Sequence, residues 1–273
     1  MYIKALREER KFKFIVDWIK YKIQFKKDHP LFFVPCGTCI FCGPQGSGKT
    51  LSAVNYVTQL LREFPHAILC SNVELRDYPF NAHMEDTKII DNASGLVITT
   101  DSILAHEFNH VCVEYDGLAC LKNISNGEYG VIYLIDELHL ELNSLESSNI
   151  DIDVMVEISQ QRKQRKHIVG TSQVFMRLAK PVREQIKDII LCRCFFQFLQ
   201  FNKLIDGESA TEEGGKLHAD IKHRAFYFHS PDMYSRYDTF AKMKRYSKEW
   251  QGHLREPVSF FPPTLQQLNF NKE

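Results

Sequence analysis

The 273-residue sequence has no excess of either charge, since Lys+Arg and Asp+Glu both number 34. Net charge therefore gives no argument for or against a polyanionic partner, and any basic surface has to be local. No apolar run reaches the ~20 residues of a membrane-crossing helix. The opening "MYIKALREERKFKF" also lacks the continuous apolar core of a secretory leader. A cytoplasmic protein without a membrane span is the expectation. No internal repeat is found, and the length suits one large α/β domain with additions better than two equal domains.

What is present begins at residues 40 to 50, "IFCGPQGSGKT". Gly43, Gly46 and Gly48 allow backbone N–H groups to curl around a concave anion site that bulkier residues would obstruct. The stretch Gly43, Pro44, Gln45, Gly46, Ser47, Gly48, Lys49, Thr50 and Leu51 fits a phosphate loop for ATP: Lys49 reaches the β- and γ-phosphates and Thr50 ligates Mg²⁺. Its surroundings agree. Cys39 to Cys42 read as a short buried strand, and Ala53, Val57, Leu60, Leu61 and Phe64 recur at helical spacing. The same strand contains Cys36, Cys39 and Cys42 at metal-like spacing, yet no second pair completes a zinc site. Cys39, Cys42, Cys70, Cys192 and Cys194 instead fall in predicted strands, where a reduced thiol is a small apolar filler.

A second apolar run, "VIYLIDE" at 131 to 137, stops abruptly at two carboxylates. A buried parallel strand delivers its last residues to the ligand-binding edge of a sheet. Asp136 is thereby placed to hold Mg²⁺ opposite Thr50, and Glu137 to polarise a water for attack on the γ-phosphate. An acidic helix cap is the plainer reading of the pair. Next comes "ISQQRKQRKHIVGTSQ", a basic helix leading into a strand that ends in Gln173. Gln173 is a candidate sensor of the attacking water or γ-phosphate, or an ordinary polar strand end. Arg162 and Arg165, three apart, are expected to share a helix face and to act either as arginine fingers towards a neighbouring subunit or as a solvated basic face. Arg183 is a weaker candidate for the finger.

Four segments follow from this reading. Residues 1–30 form a basic amphipathic helix with Ile15, Trp18, Ile19 and Ile23 on one face, suited to packing on the core, to nucleic acid or to a membrane surface. Residues 31–195 form the α/β core, whose runs "CIFC", "AILCSN", "LVITT", "VIYLI", "HIVGTSQ" and "DIILCRCF" predict a mostly parallel sheet flanked by helices. Residues 196–250 add an antiparallel β/aromatic extension at the edge. Residues 251–273, with Pro257, Pro262 and Pro263, form an extended tail.

In this order, the phosphate loop, the strand ending Asp136-Glu137, the basic helix and the strand ending in Gln173 resemble the FtsK–HerA group of P-loop ATPases with a RecA-like sheet. Within that group they are similar to the zonula occludens toxin (Zot) and filamentous-phage assembly ATPases. The resemblance implies ATP and Mg²⁺ at Lys49, Thr50 and Asp136, Glu137 as catalytic base, Gln173 as sensor, and a homo-oligomeric ring that moves DNA in virion assembly, packaging or transfer, with virion or assembly proteins as further partners. Members of that family commonly carry a membrane span after the ATPase domain; its absence here turns the expectation towards soluble packaging or transfer. Other readings are a DExH-type helicase, from "DELH" at 136 to 139, a small-molecule kinase, and a nucleotide-gated scaffold with negligible turnover. For DNA contact the sequence offers Lys222, Arg224, Arg236, Lys242, Lys244 and Arg245 among Tyr234, Tyr237 and Tyr246, or else a helix with aromatic core contacts.

Overall fold

Ten strands form one sheet in the order β12-β9-β8-β1-β7-β6-β2-β5-β3-β4. The computed structural model describes residues 11–105, 110–145, 150–213 and 216–237. The strands are β1 (Gly37–Cys42), β2 (Ile68–Ser71), β3 (Ala82–Glu85), β4 (Lys88–Asp91), β5 (Cys112–Glu114), β6 (Val131–Ile135), β7 (Lys166–Ser172), β8 (Ile186–Phe195), β9 (Leu199–Asp206) and β12 (Ile221–Phe228), while β10 (Thr211–Glu213) and β11 (Lys216–His218) pair separately. The central strands β8, β1, β7, β6, β2, β5 and β3 run parallel, and antiparallel pairs close both flanks.

The long helices are α1 (Lys11–Asp28), α2 (Lys49–Glu63) and α3 (Ile152–Gln164). Helix α2 buries Ala53, Val54, Val57 and Leu61 against Phe41, Leu69, Ile132 and Val169 on one face of the sheet. On the other face Val154 and Ile158 of α3, together with Leu138 and Leu142, cover Ile40, Tyr133, Ile135 and Ile168. With both faces covered, the centre requires unbroken apolar strands; all five residues of β6 are buried.

Two expectations are corrected. "LVITT" is not a strand of the sheet: Gly95, at φ +67°, turns the chain back so that Val97 makes one isolated bridge to Ile90, and Thr99 then starts a short helix over Thr100–Ala105. The parallel position beside β2 is filled by β5, pinned by Asn81, whose side chain accepts from the Cys112 N–H at 2.8 Å and donates to the His110 carbonyl at 2.6 Å. Helix α1 has the expected apolar face but does not lay it on the core, since Trp18 and Ile23 are both 53 % exposed. Ring contacts of Phe25 with His29 and Phe32 tie its end to the chain that follows. The chain after 195 adds the antiparallel strands β9 and β12 at the edge of the main sheet. The expected tail, with Lys242, Lys244, Arg245 and Tyr246, lies outside the described residues.

Candidate nucleotide site

The loop after β1 wraps back so that Ser47 donates its N–H to the Pro44 carbonyl at 3.2 Å, and Gly48 enters α2 in the left-handed region at φ 77°. A side chain at Gly48 would also collide with Gln200, so glycine is demanded twice at that position, by backbone angle and by space. Lys49 then folds under the loop and is only 7 % exposed. Its ammonium donates to the Pro44 carbonyl at 3.3 Å, and among the described residues no carboxylate lies within ion-pair distance. A buried cation paired to nothing but a carbonyl is unfavourable unless an anion joins it.

Asp136 follows β6 on the same edge. Its Oδ1 accepts from the Thr50 hydroxyl at 2.9 Å and from the Thr171 hydroxyl at 2.6 Å. Asn72, just past β2, grips the Asp136 backbone twice, accepting from its N–H at 2.8 Å and donating to its carbonyl at 3.0 Å. The strand ends of β2, β6 and β7 thus hold one carboxylate, facing the first turn of α2. A hydroxyl and a carboxylate at this spacing are the hard oxygen donors that suit Mg²⁺.

Glu137 sits in the left-handed region at φ 54° and donates its N–H to Thr171 Oγ1 at 2.9 Å. Its Oε2 faces Nδ1 of the buried His139 at 3.2 Å, yet neither atom has a well-aligned hydrogen-bond partner. Burial holds the His139 imidazole below the usual histidine range, with the Glu137 carboxylate working the other way. Thr171 thus fixes the Glu137 backbone, while the buried Oε2 faces His139 without a hydrogen bond.

The flanking strands supply a residue that the sequence reading passed over. Gln200 of β9 is completely buried, and its Nε2 donates to the Ser47 carbonyl at 3.0 Å and to Asn202 Oδ1 at 2.7 Å. Those two acceptors fix the amide, so Oε1 faces His229 Nε2 at 3.0 Å and that nitrogen must carry the proton. Beside it, Ser52 of α2 meets the Tyr227 hydroxyl at 2.8 Å and accepts from Asn202 at 3.2 Å. The alternation Gln200, Phe201, Asn202 was the available signal, but it does not say which face meets the loop.

Gln173 leaves β7 at the same edge, half-buried, next to the contact in which Gly43 donates to the Ser172 carbonyl at 3.3 Å. The two arginines do not share a helix face. Helix α3 ends at Gln164, and Arg165 is its left-handed cap at φ 56°, with its guanidinium carbon 4.0 Å from the Phe32 ring centroid. Both Arg162 and Arg165 precede the start of β7, whereas the loop follows the end of the parallel β1, so they lie towards the opposite edge of the sheet. The Arg183 guanidinium lies against the Met176 sulfur. Of the cations expected at DNA, Lys222 is paired with Asp188 and Asp206, and Arg236 with Asp232.

No protein-family model matches the chain, and no curated protein sequence does. Among solved structures it is similar to the N-terminal domain of zonular occludens toxin from Neisseria meningitidis, at 15 % identity and TM-score 0.48 over 75 % of this chain and 100 % of that one. It is also similar to the genome packaging NTPase B204 from Sulfolobus turreted icosahedral virus 2 in complex with ATP-gammaS, at 14 % identity and TM-score 0.45 over 69 % and 99 %. The DNA-packaging ATPase B204 from Sulfolobus turreted icosahedral virus aligns at 13 % identity and TM-score 0.41 over 71 % and 97 %. What the residues around Lys49 can do chemically follows from this chain's own geometry, and its strand, loop and helix have the P-loop NTPase architecture.

Proposed function

We propose that the chain is a Mg²⁺-dependent ATP hydrolase that works as a homo-oligomeric motor on DNA. The observation that carries the nucleotide reading is the buried Lys49, whose ammonium meets the Pro44 carbonyl and, among the described residues, no carboxylate. An ammonium so placed meets the β- and γ-phosphates, with the N–H groups of the loop and of the first turn of α2 beside it. Thr50 and Asp136 would hold Mg²⁺, which supplies charge neutralisation of the phosphate oxygens when bound. Glu137 would accept the proton of the attacking water, and Asn72 and Thr171 fix the backbone from which it reaches. Gln173 would contact the water or the γ-phosphate from the neighbouring strand end. The exposed Arg162 is the arginine open to a second copy, whereas Arg165 is engaged under Phe32.

The packaging NTPase is the neighbour whose described role accords with this reading, and DNA movement in assembly or packaging is its concrete form. Phosphate release measured with Mg²⁺ and ATP over a range of protein concentrations, with and without DNA, tests it. Turnover that rises more steeply than concentration and is stimulated by DNA supports the motor. ATP binding without turnover would replace it with a nucleotide-gated scaffold.

A further inference from the structure

The three antiparallel strands beside the loop have two faces of opposite character. Residues paired directly across strands share a face. Cys194, Gln200 and Tyr227 therefore point one way, towards Ser47 and Ser52. Arg193, Phe201 and Phe226 form the next row, on the opposite face, flanked by the row Phe195, Leu199 and Phe228 and by the pair Lys203 and Arg224.

Among the described residues this outer face is covered only at its lower end, where Ile189 and Ile205 are buried in the core. Above them Phe226 is 74 % exposed and Phe228 65 %. Phe228 stacks on Phe198 at 6.1 Å with 18° between the rings, and Phe198 on Phe196 at 6.1 Å with 28°. Phe196 stands out of a β8–β9 turn in which it and Gln197 both have positive φ, 53° and 65°, a conformation unfavourable for a bulky residue. Neither core packing nor turn chemistry accounts for these rings. Arg193 and Arg224 are exposed among them, Lys203 is half-buried, and none of the three has a carboxylate within ion-pair distance among the described residues. The face presents cations and aromatic rings, and its paired rows contain no carboxylate.

We infer that this face is a binding platform for single-stranded DNA. Every base has a flat π-surface to lay on Phe196, Phe198, Phe226 or Phe228, while Arg193, Lys203 and Arg224 meet the phosphates that run between the bases. A duplex hides its base faces and fits this surface poorly. The inference rests on the DNA part of the proposed function but not on hydrolysis, since none of the platform residues belongs to the loop or the strand ends of the nucleotide site.

The test is fluorescence anisotropy of a labelled oligothymidylate of about 16 nucleotides, a length that spans a typical single-strand site, with the full chain and no nucleotide. Phe226→Ala with Phe228→Ala weakens binding roughly 5- to 100-fold, as expected when stacked bases lose their rings. Arg193→Gln with Arg224→Gln lowers the slope of log K against log salt by roughly 1.4, two phosphate contacts at single-strand value. These side chains are exposed, and an unchanged thermal transition shows that each variant folds. Wild-type affinity in the Phe variant overturns the platform, as does tighter binding of the matching duplex or of oligouridylate. A change of oligomeric state in the Phe variant with unaltered DNA binding also overturns it, assigning the face to a second copy. Single-strand binding by a protein that does not hydrolyse ATP keeps the platform and removes the motor; hydrolysis without single-strand binding does the reverse.

Discussion

In the parallel centre of the sheet, polar groups of consequence stand only where strands end: the loop after β1, Asp136 after β6, Gln173 after β7. In the antiparallel flank they stand in mid-strand, with Gln200 and Tyr227 facing the loop and Arg193 and Phe226 facing away. Coverage explains the difference. A strand buried on both faces tolerates polar side chains only at its ends, whereas a strand buried on one face divides its residues between two environments at every step. The centre therefore concentrates chemistry in a line along one edge, and the flank can join that edge to a separate surface.

The comparison is broken most strongly at the strand end itself. Glu137→Gln should keep nucleotide binding and lower kcat by ~10²-fold or more, because only the proton acceptor is lost; steady-state phosphate release with a parallel binding titration reads both. Equal turnover would mean that the edge carboxylates are structural caps.

The centre also has a cost in titratable groups. His167 at the start of β7 is buried, and burial brings its pKa down to about 4. It donates through Nδ1 to the Gly37 carbonyl at 3.0 Å and meets the Tyr56 hydroxyl at Nε2, also at 3.0 Å. With the folded value below the unfolded one, the unfolded chain binds more protons, so stability is full above about pH 6.5 and falls as pH drops towards 4. Urea unfolding should show His167 removing about 2 kcal/mol between pH 7 and pH 5, a loss missing from His167→Gln.

In the flank, Gln200→Leu leaves the Ser47 carbonyl and the His229 N–H without partners, at about 1–3 kcal/mol of stability, and should raise the KM for ATP while kcat changes less. Unaltered KM would detach the flank from the loop. The smallest effect is expected at the turn: Gln197→Gly relieves a positive φ and should stabilise by about 1 kcal/mol in the same unfolding assay.

What was legible follows the same division. The phosphate loop, the "VIYLIDE" strand and the "HIVGTSQ" strand could be read because an apolar run ending in polar residues marks a covered parallel strand without ambiguity. β5 escaped because three residues, Cys112–Glu114, leave no pattern; their place is set by Asn81 from elsewhere in the chain. "LVITT" misled because Gly95 turns its apolar residues back to a single bridge with β4, and Thr99 then starts a short helix. Arg165 was misplaced by one residue, the distance between the last turn of α3 and its left-handed cap. Gln200 and Phe226 were visible as letters, but pairing register decides which faces the loop and which faces out, and register is a property of three strands together.

Gln200 is more than a filler between strand and loop, for its one amide ties the Ser47 carbonyl, Asn202 and His229 together. Gln200 holds the Ser47 carbonyl from a strand whose next residue, Phe201, faces the other way, so an occupant of the outer face that displaced β9 would act on the loop through this amide. Thermodynamic reciprocity then requires the factor by which ATP changes affinity at the outer face to equal the factor by which an occupant of that face changes affinity for ATP. A measured factor of one would reduce Gln200 to a brace; any other value makes the flank a lever whose stroke is set by a single amide.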